Sequence, residues 1–344
     1  MMNMFSERKA ASIKDVAALA KVSVSTVSRY LNDRSTVGSA SQKRIANAIS
    51  VLGYRPSAIA RALGNGRLRS IAVFSSNTTL YGQVQTLQGI ERAAQNAGYA
   101  LSICVLNMQD RYGHEDTIRV YLDQNPAGAI LLDFEVPLRS WLGMFPENMP
   151  MVAIAGGEFP MADVSLCSQD GGYEVTKYLF SLGHHSVRYV SIPNETGPFT
   201  RMEGWKRACR EVDAFLHEPI IADWGYASGR KIGRQLGCQD DVTAVFGGND
   251  EIAIGIIRGL RDVGRRVPED VSVVGFDGNP VGEVWDPALT TICQDFAGAG
   301  AGAFAALHDK IEAGKTQNIY DDTATLRFPG HLVIRDSATT CSEI

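Results

Sequence analysis

The six cysteines, Cys104, Cys167, Cys209, Cys238, Cys293 and Cys341, include no C-x-x-C pair. The opening residues, MMNMFSERKAAS, hold no apolar core ahead of a small-residue cleavage site, so a signal peptide is not expected and the cysteines read as reduced thiols. No apolar run approaches the roughly 18 residues of a membrane span, which argues against an integral membrane protein. The phosphate-loop pattern G-x-x-x-x-G-K-[ST], the esterase elbow G-x-S-x-G and the zinc-protease H-E-x-x-H are all missing. The six histidines, His114, His184, His185, His217, His308 and His331, lack metal-ligand spacing. No catalytic residue, metal or cofactor is therefore expected.

What remains is a chain of 344 residues with 45 % hydrophobic and 21 % charged residues, ordinary for a globular protein and long enough for two or three domains. Its net charge of -5 conceals an asymmetry. Residues 1–69 carry 12 Lys+Arg against 3 Asp+Glu, whereas the remainder carries 21 against 35. A small basic head on a large acidic body suits a protein of which one part meets a polyanion.

The head reads as three short helices. Ser12-Ile13-Lys14-Asp15 has the form of a capping box and opens a helix over about 13–20. After Lys21-Val22, Ser23 can cap a second helix from Val24 to Leu31, with Val27 and Leu31 facing inward and Val24, Ser25, Ser28 and Arg29 outward. A third runs through Arg44 to Leu52 and ends at Gly53, which supplies a left-handed cap. This is a helix-turn-helix module, and the small hydrogen-bonding residues that begin its second helix suit entry into the major groove.

The string Ile13-Lys14-Asp15-Val16-Ala17…Val22-Ser23…Thr26-Val27-Ser28-Arg29…Leu31-Asn32, followed by Gly53-Tyr54-Arg55-Pro56, resembles the head of the lactose/galactose-repressor family of bacterial transcription factors. The resemblance implies double-stranded operator DNA as a partner. Ser23, Ser25, Thr26, Ser28 and Arg29 would then divide between phosphates and base edges, with Asn32 and Tyr54 also in the interface. Val24 and Ser25 hold the positions that select the operator. Gly38 stands where the family often has Ser or Thr, leaving Ser39 or Ser41 to cap the third helix.

Residues 57–69 link head to body. The resemblance implies a hinge helix, too short to be stable alone, in which Leu63 wedges into the minor groove beside Ala60; a plain flexible linker is the alternative. The head is thus expected over 1–56 and an effector-binding, dimerising body over 70–344.

From Arg69 onward, β-branched runs at 70–74, 100–105, 128–132 and 151–154 alternate with helical patterns at 84–97 and 115–124, and the cycle restarts at 187–190, 243–246 and 271–274. The expected class is an all-α head plus an α/β body of two doubly wound parallel sheets, like the periplasmic binding proteins. One lobe is expected over about 70–160 with part of 291–325, the other over about 161–290 with 326–340. Ligands of such folds lie at the carboxyl ends of the strands.

Leu80, Arg201, Trp224, Asn249, Asp277 and Phe296 follow such strand ends or flank them, and each matches a family position that contacts the effector. Each also has a plainer reading: Asn249 and Asp250 as helix caps, Asp277 as a turn residue, Trp224 as core. One branch of the family has a cleft aspartate where Ala155-Gly156-Gly157 stand here, with Glu158 and Asp163 the nearest carboxylates to replace it. The tract 297–303, alternating Ala and Gly, fits close helix packing better than a phosphate cradle. No leucine heptad follows the last strand, so a homodimer is expected rather than a tetramer. The resulting reading is a cytoplasmic, sugar-responsive repressor with a galactoside-like effector; the alternative is a sugar-processing enzyme or sugar-binding protein with a basic head.

Overall fold

The computed structural model describes residues 11–32, 34–54, 69–106, 114–133, 143–156, 162–193, 195, 198–314 and 325–341. The chain divides into two compact units, Met1–Leu68 and Arg69–Ile344. The hinge positions Ala60 and Leu63 lie outside the described residues.

In the head, α1 spans Ile13–Ala20, α2 Val24–Asn32 and α3 Ser39–Leu52. The capping box forms as read: the Asp15 carboxylate accepts from the Ser12 amide at 2.8 Å, and Ser12 Oγ accepts from the Asp15 amide. Ser23 caps α2 by accepting from the Thr26 amide at 3.2 Å. Val16, Val27 and Ile45 are fully buried at the centre of the small core they make with Tyr30 and Ala48. Helix α3 begins earlier than its apolar pattern suggests, with Gly38 as N-cap and no side-chain cap bond. Ser39 and Ser41 therefore lie inside the helix rather than at its cap. The Gln42 amide donates to the carbonyls of Arg34 and Val37, both at 2.7 Å, which ties down the preceding loop.

The body holds two sheets. The first has the order β11-β5-β4-β3-β1-β2, with β1 Ser70–Ser75, β2 Ala100–Val105, β3 Gly128–Asp133, β4 Met151–Ala155, β5 Val164–Ser165 and β11 Leu326–Arg327. The second has the order β12-β10-β9-β8-β6-β7, with β6 Arg188–Ser191, β7 Ile220–Ile221, β8 Ala244–Gly247, β9 Ser272–Asp277, β10 Thr290–Cys293 and β12 His331–Val333. All pairings are parallel except β10 with β12. The central strands are buried on both faces, which explains their unbroken apolar runs.

The lobe boundaries differ from those expected. Val164–Ser165 and Leu326–Arg327 pair with each other in the first sheet, not the second, and Thr290–Cys293 belongs to the second. The chain crosses between sheets after β5, after β10 and between β11 and β12. A two-residue strand such as β5 or β11 has no alternation to read, so its sheet is set by its neighbours.

Glycines let helices touch backbone to backbone. Helices α8, Tyr226–Gly237, and α9, Asp250–Asp262, cross where a Cβ on Gly229 or Gly255 would collide with the carbonyl of Ile252 or Tyr226. Helices α4, Tyr81–Asn96, and α11, Phe296–Glu312, do the same: Gly300 meets the Thr86 carbonyl. The Ala/Gly tract of α11 is a packing surface. Among the described residues, no helix is long and apolar enough to cross a membrane.

Candidate functional site

The strand order of each lobe reverses between its first and third strands, and the carboxyl ends there form a natural crevice. In the second lobe these ends are β6 and β8. Helix α7, Arg201–Glu211, starts beyond β6 with Thr200 as its cap. Arg201 donates from Nη1 to the carbonyl of Gly248, just past β8. The same nitrogen lies 3.5 Å from Asp277 Oδ1 at the end of β9. The guanidinium also stacks 4.3 Å above the Phe276 ring. One side chain thus joins three strand ends.

Asp277 adopts φ +102°, a region non-glycine residues seldom occupy. It accepts from Gln294 Nε2 at 3.0 Å. Burial lifts its pKa above the ordinary carboxylate range, with Arg201 pulling the other way. Burial opposes the charge of Arg201, but the carboxylates of Asp277 and Glu195 outweigh it and hold the guanidinium ionised.

Asn249 caps α9, its Oδ1 accepting from the Ile252 amide at 2.7 Å. The plainer reading therefore describes this oxygen. The neighbouring Asp250 is fully buried and accepts from Thr291 Oγ1 at 2.6 Å and the Asn279 amide at 2.5 Å. Gly275 makes room for it, since a Cβ there would strike its carboxylate.

Leu80 is the half-buried N-cap residue of α4. Phe296 is 5 % exposed and belongs to the first-lobe core, edge-on to Tyr81 at 6.1 Å. Trp224 packs partly buried against the second-lobe core. Arg201, Asn249 and Asp277 are thus brought together on one wall, whereas Phe296 and Trp224 serve largely as packing. Asp163 is engaged elsewhere, 2.6 Å from Lys310 and accepting from the Ala153 amide; Glu158 lies outside the described residues.

Four participants escaped the sequence reading. Glu195 accepts from Tyr189 Oη at 2.5 Å and from the Met202 amide at 3.0 Å. Asn279 donates to Glu251 at 2.8 Å. Gln294 holds Asp277. Tyr81, in the first lobe, has its pKa raised by burial, then by Cys293 and the second-lobe carboxylates Asp250, Asp277 and Glu251. Glu195, Tyr81 and Gln294 all follow strand ends, the signal that marked Arg201. A separate cavity of about 550 Å³, lined by Arg261, Arg265, Pro268 and Pro287 among others, includes none of the expected site residues.

In the head, the capping Ser23 and Val24, Ser25 and Arg29 of α2 are exposed, and Thr26 and Ser28 are half-buried. Tyr54 departs from this pattern: at 9 % exposure it packs in the head core. Nothing is described of the Asn32 side chain.

Residues 12–57 match the model for bacterial regulatory proteins of the lacI family, and 176–338 that for a periplasmic binding protein-like domain. The HTH-type transcriptional repressor PurR of Vibrio vulnificus (strain CMCP6) is 31 % identical over 335 residues, 95 % of this chain and 98 % of that protein. The chain belongs to the lacI family. Among solved structures, the lac repressor dimer bound to operator and the anti-inducer ONPF superposes with a TM-score of 0.85 at 25 % identity, covering 96 % of this chain and all of that one. The CelR–cellobiose complex gives 0.69 at 26 %, covering 95 % and all. This lacI-family protein is a DNA-binding transcriptional repressor with a ligand-binding body, and not an enzyme.

Proposed function

We propose that the protein acts as a cytoplasmic homodimer on a pseudo-palindromic operator, one α2 per half-site, under control of a small sugar bound between the lobes. The observation that carries the effector site is Arg201, which ties the carboxyl ends of three strands into one polar wall. The similar CelR protein in complex with cellobiose supports a sugar. A galactoside is less well served, because Asp163 is committed to Lys310.

Exposed apolar side chains support the dimer. Ile103 and Val105 lie on the edge strand β2, and Val281, Val284 and Trp285 on and beside the short helix α10, Val281–Val284. In the DNA reading, Val24 presses a thymine methyl, Ser25 reads a base edge and Arg29 anchors the helix. Leu63 and Ala60 enter the minor groove, and closure of the lobes alters the spacing of the paired hinges.

The test is operator selection with the full-length protein, followed by anisotropy titration with and without a panel of sugars, and light scattering for mass. Specific binding by a dimer that one sugar strengthens or weakens is expected. Equal affinity for every duplex, or a monomer on operator, overturns the reading.

A further inference from the structure

The cavity of about 550 Å³ in the second lobe is walled by the turn that leads from α9 into β9 and by the residues just before β10. It therefore lies at the amino ends of these strands, whereas Arg201 and Asp277 stand at the carboxyl ends. The length of β9, roughly 17 Å at about 3.3 Å per residue, separates the two places. Its volume falls within the roughly 300–1,000 Å³ of small-molecule sites. One wall is pinned by the carboxyl-terminal strap, where the Asp336 amide donates to the Ala288 carbonyl at 2.9 Å and Ser337 Oγ to the Val273 carbonyl at 2.6 Å.

The lining combines charges of both signs with an apolar floor. Val267 and Pro287 are buried and Pro268 half-buried beneath it. Of its three arginines, Arg266 is committed, gripping Asp270 through Nε and Nη2. The other two are held loosely. Both terminal nitrogens of Arg261 reach the same oxygen of Asp286, at 3.3 Å each, instead of forming a fork on two. Arg265, four residues on, donates from Nη2 to the Val242 carbonyl, but its Nη1 lies 3.9 Å from Asp240 and its buried Nε has no acceptor among the described residues. The carboxylates of Asp286, Glu269 and Asp336 are exposed on the rim.

We propose that this cavity binds a small zwitterion with an apolar side chain, a free amino acid or a short peptide, as a second ligand apart from the effector. The ligand carboxylate takes Arg261 over from Asp286 and reaches Arg265. The ligand ammonium meets the Asp286 carboxylate so released, with Glu269 and Asp336 adding to the negative rim. The side chain covers Val267, Pro268 and Pro287. One weak ion pair is thereby exchanged for two. A ligand of a single charge breaks the Arg261–Asp286 pair and replaces only half of it, which is the basis of the selection.

The test uses the full-length protein with leucine, valine, phenylalanine and the dipeptide leucyl-leucine, each beside its N-acetyl and amide forms, read by calorimetry and thermal shift. At least one zwitterion is expected to bind, and its singly charged forms to bind about tenfold weaker. The tighter of leucine and leucyl-leucine distinguishes a free amino acid from a peptide. Arg261 and Asp286 are exposed, so Arg261→Ala and Asp286→Asn should leave the ligand-free midpoint in place. Arg261→Ala should weaken binding about tenfold, and Asp286→Asn should bring the zwitterion and its N-acetyl form within about twofold of each other. The proposal is overturned if no zwitterion binds, if an N-acetyl or amide form binds as tightly, or if either variant behaves as wild type. None of these outcomes depends on a sugar in the cleft.

Discussion

Arg201 Nη1 stands 3.5 Å from Asp277 Oδ1, and the two side chains keep only 11 % and 13 % of their surface exposed. Exposed ion pairs are worth little because water and salt screen them. A pair withdrawn from water differs: each charge is tolerable only while the other is present. The pair also spans α7 and β9, so it couples helix position to strand end. A ligand that competes for Asp277 would act on the placement of α7.

Arg201→Ala should therefore leave operator binding intact and abolish the response to effector. It should also cost about 3 kcal/mol or more of body stability, since it strands Asp277. Anisotropy with and without effector, alongside a denaturant midpoint, checks both. A normal effector response would remove Arg201 from the site.

Gly229→Ala should destabilise the body by about 2 kcal/mol or more, despite the better helix propensity of alanine, because the added methyl meets the Ile252 carbonyl across the α8–α9 contact. Gly143→Ala, in the same unit, is the control: Gly143 is exposed and a Cβ there has nothing within 4 Å. Comparable midpoints for the two variants would contradict the packing account.

Much of this was legible in the residues. The Ser12–Asp15 box, the Gly53 cap and the β-branched runs are local signals, and local chemistry decides them. The Ala/Gly tract of α11 was read as packing because helices can approach closely only over small residues. The two-residue strands β5, β7 and β11 carry no periodicity and exist through pairing. Glu195 and Gln294 acquire meaning only when Arg201 and Asp277 are brought beside them, a long-range fact. Tyr54 matched a motif, yet its environment is core.

His184 links the carboxyl-terminal strap to the second sheet. It is 5 % exposed and its ring nitrogens lie 3.1 Å from Thr243 Oγ1, 3.0 Å from Ser272 Oγ and 3.2 Å from the Thr339 carbonyl. Burial lowers its pKa below the usual 6.5, with the neighbouring His185 acting in the same direction and Thr339 against it. The folded state then binds fewer protons than the unfolded one, so this contribution is present at neutral pH and lost as pH falls through the ordinary imidazole range. The raised carboxylates Glu195 and Asp277 have the opposite slope. The difference in midpoint between wild type and His184→Asn isolates the histidine: it should shrink from pH 7 to pH 5. A constant difference would show that the imidazole does not titrate with folding.

Arg29→Ala bears on the head alone. Arg29 is exposed near the end of α2, while Val27 and Tyr30 beside it are buried and hold the helix in place. The substitution leaves that core untouched, so the fold and the effector response of the body should persist. Specific operator affinity should be lost, because the anchor for α2 is gone and Val24 and Ser25 read bases only while the helix is held in the groove. With wild type, the logarithm of affinity should fall linearly with the logarithm of salt, by about 0.9 per phosphate neutralised, and in the variant that slope should be shallower by about one contact per subunit. If Arg29 touches a base instead, the slope stays the same and only sequence preference relaxes. Anisotropy on specific and scrambled duplexes over a salt series separates these outcomes, and a flat salt dependence in wild type would refute the electrostatic role of the basic head.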